Sequence, residues 1–574
     1  MICTEETGME RILVTEMGIP TDGKVCLQDA LTKLFARVPD NCEVFFPAGR
    51  YYWSKPVVIE GKNGLTVRGE EGTVFVLHFT PWDDPALDNN GFNCRNCRDL
   101  TFRNLTWTTD NPTSCAGRVV AVDAENHTYD VDIDPQFPIT GWEHFWGTDT
   151  CDEEGTPDYV IETYDRIVKE TLTDETGKER VKYTGTKYEL LGDNRIRVFM
   201  PERWNLQRLT IGHRVLYRYL IYGSTVYHFA GCHNVLLQHI EIERCTSMGA
   251  VITPRCSDFT FDDFNIRMPA GDHALYAANA DGIHVTGLSG YLHMKNCDFV
   301  GLGDDALNIH STAGEVASWD PATGEMHCIY RNRAMEPGKL SPLWAEGGDN
   351  IIVYDRNTFL EKGKLHLADY RDGIAAVDSV TGEVGAGDIL ANEEFFASVH
   401  LENCTVTHTR ARGFLLQSWN MLVENCRIYG MSLPGIIVSP DIKVWYEVGP
   451  SKNVEIRNCV FEKCGINGSA ANMGAIVVKA SHDVDTDNYP AGVHDGIHIH
   501  HNLFKNCGNS GIFVNAAKNV NIHDNRFENC SCKRFSEQVD TNLYDILLRK
   551  CAGIATADNS TTKDPAWLEK KEDC

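Results

Sequence analysis

Between residues 296 and 530 the dipeptide Asn-Cys recurs six times, at Asn296-Cys297, Asn403-Cys404, Asn425-Cys426, Asn458-Cys459, Asn506-Cys507 and Asn529-Cys530. Phe299, Val406, Ile428 and Phe461 each follow a Cys by two positions, as in short β-type runs. Cys404 and Cys426 are 22 residues apart, Cys507 and Cys530 are 23, and the 48 residues from Cys459 to Cys507 span about two such units. A fixed period of this length marks a repeat architecture. Each unit reads as an alternating strand, a turn at Asn, a second short strand and a Gly-containing bend. So small a unit cannot bury its apolar face alone and has to stack on copies of itself. A leucine-rich repeat has a similar period but needs a Leu-x-x-Leu-x-Leu frame, which is missing. The expected fold class is all-β, a right-handed parallel β-helix.

An open solenoid end exposes strand edges and core, so it has to be capped. The stretch from Val25 to Ala36 is helical by period and is expected to be the cap, with a first strand after it from Val44 to Tyr52. Two stretches break the coil period with antiparallel-looking strands and charged turns, among them Arg118 to Asp123, Tyr129 to Asp134 and Arg195 to Met200 in the first, and Ile351 to Tyr354 in the second. Both are expected to be small β-barrel or sandwich modules inserted at solenoid bends, where long insertions cost little. The organisation expected is a cap and first coils over 1–114, an inserted module over 115–218, coils over 219–311, a second module over 312–398, coils over 399–555 and a polar tail over 556–574. The Asp130-x-Asp132-x-Asp134 series lacks the Gly and Glu of a calcium loop and reads as a strand with outward acids.

Composition excludes several functions. With 53 Lys and Arg against 81 Asp and Glu the net charge is −28, which repels phosphate backbones, so no nucleic-acid partner is expected. No apolar run is long enough to span a membrane. The 21 cysteines are an odd number, and most are read as small buried thiols within strand-like segments; Cys94 and Cys97 lack a second pair at zinc-ribbon spacing. Acidic residues stand where a secretory signal would be basic, so the expected location is cytoplasmic, or secreted or periplasmic if a leader has been removed.

Polar groups are densest in Asn279-Ala-Asp281-Gly-Ile-His284 and Gly301-Leu-Gly-Asp304-Asp305-Ala-Leu-Asn308-Ile-His310. Asp281 and Asp304 are 23 residues apart, one coil, which is expected to set them on the same face of adjacent rungs about 4.8 Å apart. Asp305 adds a third carboxylate. Crowded acids raise one another's pKa, so a protonated acid can stand beside ionised ones near neutral pH. A glycosidase needs that division: one carboxyl group protonates the leaving oxygen, and an ionised one activates water or attacks the sugar.

The Asn-x-Asp-Gly and Gly-x-Gly-Asp-Asp pair on a β-helix resembles glycoside hydrolase family 28, the polygalacturonases. The fuller strings Ala280-Asp-Gly-Ile-His284 and Gly303-Asp-Asp-Ala-Leu-Asn-Ile-His310, with β-rich insertions, are similar to glycoside hydrolase family 110, the α-1,3-galactosidases acting on blood-group-B-type glycans. That resemblance implies an exo-acting inverting mechanism with Asp304 as general acid and Asp281 and Asp305 holding the water. The Gly-His-Gly and Arg-Ile-Lys strings of polygalacturonases do not occur, which counts against a uronic-acid substrate.

Substrate contacts are expected from His284 and His310, from Arg410 and Arg412 on a later coil, and from Trp445 and Glu447, an aromatic plate with an acid. His233, His494, His498, His500 and His501 are scattered and read as solenoid strand, not as a metal site. No His/Cys/Asp set with ligand spacing lies near the acids, so no metal or other cofactor is expected. The expected partner is an oligosaccharide or glycoconjugate substrate, and the oligomeric state is open. The competing readings are another β-helix glycosidase of polygalacturonase type, a polysaccharide lyase, which would require a basic proton abstractor, and a non-catalytic glycan-binding solenoid, for which the acids would have no purpose.

Overall fold

The computed structural model describes residues 2–3, 9–78, 91–137, 147–151, 157–161, 168–173, 179–184, 188–199, 209–219, 221–330, 344–442, 445–466, 474–481, 489–532 and 544–574. Its body is the expected right-handed parallel β-helix, in which each coil contributes one strand to each of three parallel ladders. A long ladder runs through Cys256–Ile266, Leu288–Lys295, Phe396–Glu402, Trp419–Glu424, Lys452–Arg457, His494–His500 and Ala517–His523. A short ladder runs through Asp298–Val300, Thr405–Thr407, Arg427–Tyr429, Val460–Glu462, Leu503–Lys505 and Arg526–Glu528. The third ladder includes Ala250–Ile252, Ile283–Thr286, the start of Leu307–Asp320, Phe414–Leu416, Ile436–Val438, Gly474–Val478, Ser510–Asn515 and Ile546–Arg549.

The repeat dipeptide makes the corner between the long and short ladders. Asn296, Asn403, Asn425, Asn458, Asn506 and Asn529 have φ between 49° and 56°, the left-handed region that Asn tolerates because its short amide bonds locally. The Cys that follows is thereby turned into the core. Its Sγ donates to the carbonyl two residues back, at 3.3 Å from Cys297, 3.4 Å from Cys404, 3.3 Å from Cys426 and 3.1 Å from Cys459. These cysteines are buried and free, but they occupy corners and not strand interiors as the sequence suggested. The sharp turn needs a small residue where coils crowd, and Cys fits. Along the short ladder like stacks on like: Phe461, Phe504 and Phe527 lie 5.0 and 4.9 Å apart, nearly parallel.

The cap helix spans Gln28–Arg37 and lays Leu31, Leu34 and Phe35 on the solenoid core, Phe35 meeting Phe92 edge-on at 5.8 Å. Val25 belongs to the preceding strand Asp22–Cys26. The first interruption is an antiparallel sheet in the order Pro157–Ile161, Gly147–Cys151, Arg214–Arg218, Ser114–Asp123, Thr128–Ile133, Arg195–Phe199, Tyr188–Gly192. Its outward acids are answered across the sheet: Asp130 takes two hydrogen bonds from Arg197 and Asp132 two from Arg195.

The second interruption is a closed antiparallel barrel. Its strands close in the order Leu307–Asp320, Glu325–Ile329, Ile374–Gly382, Glu361–Arg371, Asn350–Tyr354, Ile389–Asn392 and back to Leu307–Asp320. Because Leu307–Asp320 is both solenoid rung and barrel stave, the boundary falls inside one strand. Residues 556–574 are not a loose tail: Ser560–Thr561 and Glu569–Glu572 pair in parallel with the preceding coil. Their polarity suits side chains that are exposed or half-buried throughout this stretch. Among the described residues no helix is long and apolar enough to cross a membrane.

Candidate active site

Strand register decides which acids meet. His284 pairs with Asn308, and Leu307 with Phe414, so the coils advance by 24 and then 107 residues. Carried back to the corner before these strands, that register aligns Asp281 with Asp305 and Asp305 with Arg412. The spacing of 23 residues had suggested Asp281 opposite Asp304; the rung is one residue longer, and Asp304 stands beside the column. Asp305 N–H accordingly donates to Asp281 Oδ1 at 3.1 Å, and Asp305 Oδ1 accepts from Arg412 N–H at 3.1 Å and Arg412 Nε at 2.7 Å. Asp304 Oδ1 is 3.9 Å from Arg412 Nη2. One oxygen from each of the three acids lies within 4.8 Å of the others, a spacing that a divalent cation could use. The positive charge that answers them within the protein is the buried Arg412 guanidinium.

The corner is held by the ends of the first insertion. Arg218, fully buried, donates from Nη1 to Asn279 O at 2.9 Å and to Gly303 O at 3.2 Å, and Asn279 Nδ2 donates to Thr113 Oγ1 at 2.7 Å. The insertion thus grips the two corners that carry Asp281 and Asp304. Gly303 is required for this close approach, since a Cβ there would lie 2.2 Å from Asn279 O and 2.9 Å from Arg218 Nη1.

A buried chain leads away from Asp281. His284 Nδ1 is 2.7 Å from Asp281 Oδ2, and His284 Nε2 is 3.2 Å from His310 Nε2. His310 Nδ1 faces Ser311 O at 3.0 Å, and a carbonyl can only accept, so Nδ1 carries the proton and Nε2 is the acceptor. His284 therefore donates from Nε2, and a proton on its Nδ1 would make it an imidazolium beside the Asp281 carboxylate. Burial works against that charge, but the hydrogen bond and charge of Asp281, with Glu447 and Asp305, hold the His284 pKa above its ordinary value. Burial, with the His284 charge, holds His310 below its own against the pull of Glu447. Glu447 Oε1 is 3.7 Å from His310 Nε2, and Glu447 Oε2 accepts from Gln417 Nε2 at 2.7 Å.

Burial also raises Asp281, the nearby Asp304 adding to it and His284 opposing. It pushes the Asp305 carboxyl up to about 8, Arg412 pulling against it and the other two acids adding to it. The cluster as a whole therefore retains a proton at neutral pH. Asp304 is the member open to the cavity: its side chain is 22% exposed, against 7% for Asp281 and 1% for Asp305.

These residues floor a cavity of about 450 Å³. Asp281, His284, Asp304, Asp305, Arg410, Arg412, Trp445 and Glu447 all line it, so eight of the nine residues singled out in the sequence come together. His310 stands one layer back, behind His284. The sequence missed Tyr222, Met248, Leu415, Leu433 and Asp441, which are spread over four coils and carry no motif. Asn308 lies inside the second motif, and its alternation with His310 was its signal. The loop bearing Trp445 is closed at its base by paired backbone hydrogen bonds between Asp441 and Glu447, and Tyr446 OH donates to Glu315 Oε2 of the barrel at 2.7 Å.

Two family models match parts of the chain: glycosyl hydrolases family 28 over residues 224–329, which contain all three acids, and the right-handed β-helix region over residues 347–496. The chain is 21% identical over 544 residues to alpha-1,3-galactosidase B of Bacteroides thetaiotaomicron, covering 88% of this chain and 84% of that protein. It is 24% identical over 542 residues to alpha-1,3-galactosidase A of Shewanella woodyi, covering 86% and 82%. Among solved structures, a family 28 exopolygalacturonase of Yersinia enterocolitica is similar at a TM-score of 0.45 and 10% identity, over 98% of this chain and 77% of that one. The protein is an enzyme, a β-helix glycoside hydrolase related to family 28 and homologous to proteins named as α-1,3-galactosidases.

Replacing Gly303 tests whether corner geometry controls the acids. Gly303→Ala is expected to lower kcat/KM at least about 100-fold, the cost of displacing reacting groups by about 1 Å, with circular dichroism unchanged. Activity near that of the parent would show that the close approach is dispensable.

Proposed function

We propose that the protein is an exo-acting, inverting α-1,3-galactosidase that removes terminal galactose from branched glycans of B-antigen type. The observation that carries the hydrolytic chemistry is the column of Asp281, Asp305 and Arg412 with Asp304 open to the cavity beside it. Similarity to the two galactosidases over most of both chains supports the sugar and linkage. Asp304, open to the cavity, protonates the glycosidic oxygen. Asp281 and Asp305, ionised in the reacting form, hold and deprotonate the attacking water. An exo mode fits a cavity of about 450 Å³, with Trp445 offering an apolar plate to a sugar face. Asn308 Oδ1 is buried with no hydrogen-bond partner among the described residues, and a sugar hydroxyl can supply the missing donor.

Inversion is favoured by how the two bases are held. The usual spacings are about 5–5.5 Å between carboxyl groups for retention and about 6.5–9.5 Å for inversion, and an approach of single oxygens within 4.8 Å is compatible with both. A nucleophile must itself reach the anomeric carbon. Asp281 is tied to His284 and Asp305 N–H, and Asp305 to Arg412, so both are placed to act through a water.

Asp304→Asn is expected to abolish turnover of branched and linear B-type oligosaccharides while the protein stays folded, with a smaller loss on nitrophenyl α-galactoside, whose leaving group needs less protonation. An unchanged rate on the oligosaccharides would remove Asp304 from the mechanism; no hydrolysis by the parent of any α-galactoside would overturn the substrate assignment.

Proton NMR in the first minutes of reaction should show β-galactose as the initial product. The appearance of α-galactose first would make one of the tied aspartates a nucleophile.

The pH profile follows from the retained proton. Because Asp304 has to hold the cluster's shared proton in the reacting form, and burial keeps that proton within the cluster, at Asp305, up to about 8, kcat/KM is expected to hold below that pH and to fall about tenfold per unit above it. A profile flat to pH 10 would show that the cluster's proton is not used.

A further inference from the structure

On the outer side of the long ladder, away from the cavity, two adjacent coils bring three histidines together. His500 ends the strand His494–His500, and His523 ends Ala517–His523 directly beside it in register. Their rings stack at 4.7 Å, 7° from parallel. His501 takes the left-handed corner after its strand, with φ of 57°, and so folds its ring back: His501 Nδ1 is 2.8 Å from His500 Nδ1. The ligand nitrogens of all three lie within 4.8 Å of one another.

Two carboxylates decide which nitrogens are free to coordinate. Glu455 Oε1 lies 3.1 Å from His500 Nε2, so that nitrogen holds its proton and Nδ1 presents a lone pair. Asp524 Oδ2 lies 2.8 Å from His523 Nδ1, leaving Nε2 as the lone pair, and is 3.8 Å from His501 Nε2. A carboxylate behind a histidine is the arrangement that orients imidazole ligands toward a metal ion and raises their basicity. The sequence suggested solenoid strand for His500 and His501 because the third imidazole, His523, comes from the next coil.

We propose that His500 Nδ1, His501 Nδ1 and His523 Nε2 form a binding site for an imidazole-preferring divalent transition ion such as zinc, which clips the two coils together. Zinc takes nitrogen ligands at about 2.0–2.1 Å in a tetrahedron, with solvent completing the set. In a solenoid, stability is close to a sum of coil-to-coil terms, so such a clip strengthens the two coils that carry it. The role of the bound ion is structural.

The test is calorimetric titration of zinc chloride into chelator-treated, dialysed full-length protein without a polyhistidine tag. One site with Kd below about 10 µM is expected, with a rise in Tm at saturating zinc. His523→Ala and His501→Asn, the latter keeping a residue suited to the left-handed corner at an exposed position, are each expected to weaken binding at least tenfold. His293→Ala, at another group of His and Glu side chains, and Asp304→Asn are expected to leave it unchanged. Absence of binding, or equal affinity in the parent and His523→Ala, overturns the proposal; loss of binding in Asp304→Asn alone would move the ion to the acid cluster.

Discussion

The structure depends on the parallel hydrogen-bond register between successive coils. Every residue of a coil is placed by the residue above and below it, so a side chain's neighbours are set by coil length rather than by distance in sequence. In the third ladder inward positions are apolar throughout, as at Ile283, Leu307, Phe414 and Ile436. Outward positions are polar at His284 and Asn308 and become apolar at Leu415, Ile437, Val477, Phe513 and Leu547. The cavity lies where that outward column changes character.

The two insertions then act on one short stretch of this face. The first, through Thr113 and Arg218, holds the corners that carry the acids. The second, through Glu315 and Tyr446, holds the loop that presents Trp445 and Glu447. Beyond the junctions, Arg356 of the barrel pairs with Glu315 at 2.6 Å and Tyr330 meets Tyr446 edge-on at 5.6 Å, so the barrel itself braces the loop, while the closure cost of so long an excursion grows slowly with length.

Electrostatically the site is a buried anionic column with the Arg412 guanidinium and the His284 ring, raised toward its charged form, inside it and Arg410 also lining the cavity. Three carboxylates so close could not all ionise without those cations, and with them the cluster still keeps a proton. That balance gives an acid and a base in one small volume at neutral pH. It is an arrangement of polar groups whose partners are mostly within the fold, and this explains why so many charged side chains survive burial there.

Much was legible in the sequence. The Asn-Cys period stated the solenoid, because a residue tolerant of left-handed backbone followed by a small buried one is a corner, and a corner at constant spacing is a coil. The motifs named the acids, the two histidines and, within the second string, Asn308. What the sequence left open was the register. A one-residue difference between 23 and 24 exchanges Asp304 for Asp305 opposite Asp281, and only the hydrogen-bonded ladder decides which of them is tied and which is open to the cavity. The same holds for Arg412, which is 107 residues from Asp305 yet directly above it because a whole barrel is looped out between the coils, and for His523, which meets His500 only through stacking. Local pattern determined which element each residue enters; the alignment of coils, summed over many backbone hydrogen bonds and an apolar core that admits one fit, decided which residues touch.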